Sequence, residues 1–330
     1  MLADVFPDLS IVQLPMRNRF REITVREIAI FNGPYGWSEF GPFLEYSDQE
    51  SVPWLKAAWE AANRPWPTQY RDRVAINATL PIVAPDQVSG ILARFPGCMT
   101  VKIKVDDFSS AADVIEEVLD INADYRIRLD VNAVWDLATA VENLLQFHHR
   151  FGDVFDYVEQ PCEALSDLAI VKREAPIPVA ADESIRKKLA QDFTDLKKFA
   201  DIAIIKWQPL GGFAAAHAIA NSIDLPVVIS SALETGIGIA HGAALAASFS
   251  DSDFACGLGT VALFEEDICL PSAMPIDGYL DVHRREPVNH QKYLADKERT
   301  EWWHERMVRI WSLIESIEEE PNQPAKGVDK

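Results

Sequence analysis

The stretch Val101-Lys102-Ile103-Lys104-Val105 decides the fold. Its apolar and cationic residues alternate with the two-residue period of a β-strand, which puts both lysines on one face and three branched residues on the other. A strand that is apolar outside and charged inside suits a barrel, whose helices pack on the outer face and whose reactive groups gather at the rim. Four more short apolar runs end on polar groups. Ile127 to Val131 carries Asp130 and is followed by Asn132, Val154 to Val158 precedes Glu159, Pro178 to Ala181 precedes Asp182-Glu183, and Ile202 to Ile205 precedes Lys206. From Lys104 the successive spacings to Asp130, Glu159, Asp182 and Lys206 are 26, 29, 23 and 24 residues. That length is one strand plus one returning helix, the βαβ unit of a parallel sheet.

Extended along the chain, the rhythm predicts strands near 74–82, 100–105, 126–134, 155–160, 178–183, 201–207, 226–231 and 254–259. Helices are expected near 85–95, 109–121, 137–150, 166–174, 189–198, 213–222 and 238–249. Eight strands with seven helices define a (β/α)7β TIM-like barrel over residues 73–264. The first 72 residues break the rhythm and are predicted to form an α+β capping domain. Ile11–Leu14 and Thr24–Phe31 read as strands, and Ser47-Asp48-Gln49-Glu50 is a capping box opening a helix to about Asn63. Residues 265–320 are expected to pack on barrel or cap, loop-like over 265–295, after which Trp303, Met307, Ile310, Trp311, Ile314 and Ile317 form a helical stripe. The polar tail 321–330 is expected to be disordered.

A net charge of −20 on 330 residues disfavours nucleic acid and anionic membrane as partners. The four cysteines show neither metal nor redox spacing, which fits buried thiols in a reduced compartment. No basic-then-apolar leader and no membrane-length apolar run is present, so a cytoplasmic location is the expectation.

Asp130, Glu159 and Asp182 are three hard oxygen ligands from consecutive strand ends, a donor set for Mg²⁺, with Mn²⁺ able to substitute. By strand alternation Asn132 shares a face with Asp130, while Glu183 faces away from Asp182 and would support the ligands from behind. Two inward ammonium groups disfavour each other's charge, so Lys102 and Lys104 should lower the pKa of at least one of them. A lysine tuned down in this way is a general base for a carbon acid. Lys206 lies roughly across the barrel from Lys104. Together these groups suit removal of a proton α to a carboxylate, with a divalent cation stabilising the enediolate.

The K-x-K strand, the D-x-N strand, Val158-Glu159-Gln160-Pro161, Ala181-Asp182-Glu183-Ser184 and Ile205-Lys206 followed by Gly211-Gly212 resemble the enolase superfamily, muconate-lactonizing-enzyme subgroup. Gly36-Trp37-Ser38-Glu39 is similar to that family's cap motif, and Ile229 to Thr235 to its seventh-strand segment. The resemblance covers about Pro15 to Leu263. It implies a Mg²⁺-dependent lyase acting on a small carboxylate, 2-succinyl-6-hydroxy-2,4-cyclohexadiene-1-carboxylate, which it would dehydrate to o-succinylbenzoate in menaquinone biosynthesis. By the same resemblance Lys104 is the base, Lys206 stabilises the enediolate, and Lys102 supports the substrate carboxylate and the pKa of Lys104. Ser230 and Ser231 would contact the succinyl group. The family's substrate-covering loop falls around Arg17–Arg21, making Arg19 a further substrate contact. Paired lysines on opposite faces also suit a two-base racemase of N-succinylamino acids, and that alternative stays open. A non-catalytic binding barrel has no use for such a constellation.

Overall fold

The computed structural model describes residues 2–20, 23–187, 195–250 and 254–319. The chain opens with a short helix α1 (Leu2–Val5) and a three-stranded antiparallel sheet, β1 (Ser10–Phe20), β2 (Ile23–Phe31) and β3 (Ser38–Phe40), in the order β1-β2-β3. Helix α2 (Asp48–Asn63) follows. Its start is the capping box read in the sequence: Ser47 Oγ accepts from Glu50 N while Glu50 accepts from Ser47 N. Trp54, Leu55, Ala58 and Ala62 are buried along one face of α2, each large apolar side chain contributing about 1.5–3 kcal/mol.

The barrel is a parallel sheet in the order β11-β10-β9-β8-β7-β6-β5. Its strands and helices alternate as β5 (Ala78–Leu80), α3 (Val88–Leu92), β6 (Thr100–Lys104), α4 (Phe108–Ile121), β7 (Arg126–Asp130), α5 (Leu137–Phe151), β8 (Phe155–Glu159), α6 (Leu165–Glu174), β9 (Val179–Ala181), α7 (Glu183–Arg186), β10 (Ile202–Ile205), α8 (Phe213–Ser222), β11 (Val227–Ile229) and α9 (Gly236–Ala247). The eighth position is filled by single bridges, Ile76 with Cys256 and Ser230 with Gly257, which close the ring. The (β/α)7β barrel with its α+β cap is therefore the fold of this chain.

Several local expectations needed correction. The run expected as one strand over 74–82 is split. β4 (Arg73–Ala75) leaves the barrel to pair antiparallel with β12 (Tyr279–Asp281), a strand that lay in the stretch read as loop. The split falls where Asn77 N donates to Cys256 O at 3.0 Å, so the seam takes over the pairing. The strand expected over 254–259 reduces to the seam bridges. Arg17 to Phe20 continue β1 toward its hairpin with β2 and do not form an open loop. Arg21 of that segment lies outside the described residues, as do most of the helix expected over 189–198 and the tail 321–330.

The C-terminal helix α10 (Lys297–Glu319) lies against α2. Trp303, Met307, Ile310 and Ile314 are buried, as their spacing predicts. Trp303 Nε1 and Arg299 Nε both donate to Glu27 of β2, at 2.7 and 2.6 Å, and Arg306 donates to the Tyr46 carbonyl at 2.6 Å. Among the described residues no helix is long and apolar enough to cross a membrane.

Candidate active site

Strand register brings the reactive groups together. Lys104, Asp130 and Glu159 are the last residues of β6, β7 and β8, and they are direct cross-strand neighbours, Lys104 with Asp130 and Asp130 with Glu159. Asp182 and Lys206 come immediately after β9 and β10. Three strands separate β6 from β10, so Lys104 and Lys206 stand on different sides of the mouth.

Ammonium groups meet the carboxylates at hydrogen-bonding distance. Lys102 Nζ lies 2.8 Å from Asp130 Oδ2 and 2.6 Å from Glu159 Oε2, Lys104 Nζ lies 2.5 Å from Asp130 Oδ2, and Lys206 Nζ lies 2.6 Å from Asp182 Oδ2. All three carboxylates are 1–2 % exposed. Each also has a second oxygen, Asp130 Oδ1, Glu159 Oε1 or Asp182 Oδ1, that is buried without a hydrogen-bond partner. Leaving a buried anionic oxygen unpaired is costly. Among the described residues no three Asp, Glu, His or Cys side chains are grouped, as they stand, to hold a metal. The three oxygens without a hydrogen bond, of which Asp182 Oδ1 has only Arg186 Nε at 3.5 Å, are by their chemistry hard donors of the kind a hard divalent cation takes.

Electrostatics separates the two lysines of β6. Burial acts to depress Lys102, but Asp130 and Glu159 outweigh it and hold Lys102 well above the usual lysine range. Lys104 goes the other way: burial pulls it down, the Lys102 charge adds to that, and Asp130 only partly opposes it. Burial followed by the Asp130 charge pushes Glu159 up to about 7. Asp130 stays below the usual range despite burial, because Lys102 and Lys104 flank it. Asp182 is held down by Lys206 and Arg186 against the opposing effect of burial.

Asn132 and Glu183 reach the site by a route other than strand alternation. β7 ends at Asp130, and Asn132 has left-handed backbone, φ +54°. Its Oδ1 accepts from Lys104 Nζ at 2.6 Å and its Nδ2 donates to Glu183 Oε1 at 3.3 Å. Glu183 opens α7, past the end of β9, and faces Arg186 Nη2 at 2.7 Å. Arg186 Nη1 in turn donates to Tyr46 Oη of the cap at 3.0 Å. The sequence reading missed Arg186 and Tyr46. A signal for Arg186 existed, since it follows Asp182 by four residues and can turn back to it on a helix; Tyr46 offered none.

Lys104, Asp130, Asp182 and Lys206 line one cavity together with Ser230 and Ser231, and Ser231 Oγ lies 2.7 Å from Gly257 O and 2.8 Å from Thr260 Oγ1. Arg19 lines a groove that shares Lys104, Asp130 and Asn132 with the main cavity. Phe43, Tyr46 and Trp54 bring the cap onto the cavity. Among the described residues the four cysteines are free and buried.

Two family models cover the chain: an enolase N-terminal domain-like model matches residues 11–62 and an enolase C-terminal domain-like model residues 91–287. The chain belongs to the enolase superfamily. Within it, the chain is 44% identical over 310 residues to the o-succinylbenzoate synthase of Mycobacterium tuberculosis, spanning 93% of this chain and 94% of that one. It is 41% identical over 317 residues to the enzyme of the same name from Mycobacterium leprae, covering 95% and 94% of the two chains. Among solved structures, the L-Ala-D/L-Glu epimerase of Bacillus subtilis matches with TM-score 0.71 at 21% identity, covering 85% of this chain and 96% of the epimerase. A muconate lactonizing enzyme from Pseudomonas fluorescens matches with TM-score 0.70 at 18% identity over 90% and 97%. At these identities the structures speak for the fold alone.

Proposed function

We infer that this chain catalyses the o-succinylbenzoate synthase reaction, the dehydration of 2-succinyl-6-hydroxy-2,4-cyclohexadiene-1-carboxylate to o-succinylbenzoate. The observation that carries the mechanism is that three buried strand-end carboxylates, Asp130, Glu159 and Asp182, each keep an oxygen without a hydrogen bond while Lys104 pairs with the first and Lys206 with the last. Asp130, Glu159 and Asp182 would hold Mg²⁺, or Mn²⁺ in its place. When bound, the ion supplies fixed positive charge where negative charge develops on the substrate carboxylate.

The chain's own groups do the rest. Lys104 Nζ, with its depressed pKa, takes the α-proton and can return it to the departing hydroxyl on the same face. Lys206 Nζ faces the enediolate from the other side as a cation. Lys102, held charged by its two carboxylates, keeps Lys104 low and supports the substrate carboxylate. Asn132 and Glu183 hold Lys104 and Arg186 in place. Ser230, Ser231 and Arg19 are proposed contacts for the succinyl arm. Four buried free cysteines suit a reduced, cytoplasmic setting.

The test is a rate comparison. Turnover of the cyclohexadiene carboxylate, followed by the ultraviolet change on aromatisation, should far exceed deuterium exchange at the α-carbon of N-succinylamino acids in D₂O. Faster exchange into both enantiomers, by kcat/KM, would replace this reading with the racemase.

A further inference from the structure

Leu233 lies in the segment after β11 with φ +66°, a left-handed backbone in which an L side chain is disfavoured and glycine is not. It is 1% exposed and lines the same cavity as Lys206. A buried guanidinium meets its carbonyl. Arg26, on β2 of the cap and 2% exposed, donates its Nε to the Leu233 carbonyl at 3.2 Å. The same group donates to the Gly41 and Pro42 carbonyls and stacks 4.3 Å from the ring centroid of Phe43, another cavity-lining residue. Arg26 therefore ties the cap wall of the cavity to its barrel wall. Glycine would take this backbone without strain; the leucine side chain instead packs against the core and forms part of the cavity wall, where it can meet a ligand.

We propose that Leu233 is a specificity-determining residue: Arg26 holds its backbone left-handed so that its side chain forms an apolar wall against the non-reacting part of the substrate. The succinyl-bearing ring is the ligand meant here, so the inference rests on the proposed function.

The test compares Leu233→Gly, Leu233→Ala and Leu233→Phe. KM and kcat are measured on the Mg²⁺-loaded protein, Kd for o-succinylbenzoate by calorimetry, and Tm in parallel. Leu233→Gly and Leu233→Ala should raise KM and product Kd about tenfold, the usual scale for lost apolar contact in a pocket, while kcat moves much less. The glycine variant should melt no lower than the alanine variant, because glycine relieves the strain. Leu233→Phe should weaken product binding by filling the cavity, and it decides the matter if the smaller variants do not fold. Variants that lose Tm but keep wild-type KM and Kd would make Leu233 a packing residue and overturn the proposal. Wild-type protein that does not turn over the cyclohexadiene carboxylate refutes the proposed reaction alone. The KM ratios are then read on N-succinylamino acids, and Leu233 stands or falls by them.

Discussion

Replacing Lys102 with methionine keeps the stem and removes one buried cation that bridges two carboxylates at 2.8 and 2.6 Å. Its side chain is 9% exposed and those of its partners 2% and 1%, so water cannot take over the lost contacts. Breaking a buried pair by removing one partner costs about 3–5 kcal/mol, because the remaining charge is left uncompensated. The unfolding entropy of a 330-residue chain is about 0.7 kcal/mol per kelvin at roughly 2.1 cal/mol/K per residue. Lys102→Met should therefore lower Tm by about 4–7 °C in EDTA. A divalent cation held by Asp130 and Glu159, as proposed, would replace the missing charge, so millimolar Mg²⁺ should recover more Tm in the variant than in the wild type. Calorimetry in EDTA and in Mg²⁺ gives the four numbers needed. The pH dependence of kcat/KM is a second arm. Lys102 is one cause of the depressed Lys104, so its loss should move the basic-side rise of activity to higher pH. An equal Tm loss with and without Mg²⁺, together with an unmoved pH profile, would refute both the charge bridge and the metal reading.

Lys104→Ala should abolish dehydration, a general base being worth about 10²–10⁴-fold, and Lys104→Arg should be no better because guanidinium keeps its proton; steady-state kinetics on both variants checks this, and near-normal kcat would move the base to Lys206. Glu39 predicts a pH effect on stability. Burial, reinforced by Glu234, pushes it up to about 8 even though Thr235 and Gly238 donate to it at the start of α9. A carboxyl raised in the folded state stabilises below its unfolded pKa and loses that contribution as pH climbs to about 8. Denaturation midpoints should fall across that window with a slope of up to about 1.4 kcal/mol per pH unit from this group. Glu39→Gln should flatten the slope, and an unchanged slope would place the titration elsewhere.

The barrel was legible because period-two alternation and a 23–29-residue repeat are properties of strands and βα units themselves. Lys104, Asp130 and Glu159 stand at strand ends, where the pattern puts them. Asn132 and Glu183 do not follow strand alternation, since both lie beyond their strands and are placed by a left-handed turn and a short helix. β4 and β12 were illegible because three residues carry no period, and their pairing of Val74 with Leu280 is set by tertiary contact. Arg128 sat two residues before Asp130 on the same alternating face, so its inward direction could have been read. Its partners could not.

Those partners give the seam of the barrel a consequence for assembly. Arg128, fully buried, donates to Asn77 Oδ1 at 3.1 Å and to Ala255 O at 2.6 Å, so one side chain on β7 holds both lips of the joint where Ile76 meets Cys256. Neighbouring βα units close over short chain distances, whereas this joint links the two ends of the ring. Closing it is the slow, high-contact-order event of folding. A ribosome must release residue 256 before it can happen, and until then Arg128 lacks its two seam partners and keeps only Asp156 of β8, at 3.1 Å. The joint should accordingly be the last protected against hydrogen exchange during refolding and the first to open under partial unfolding.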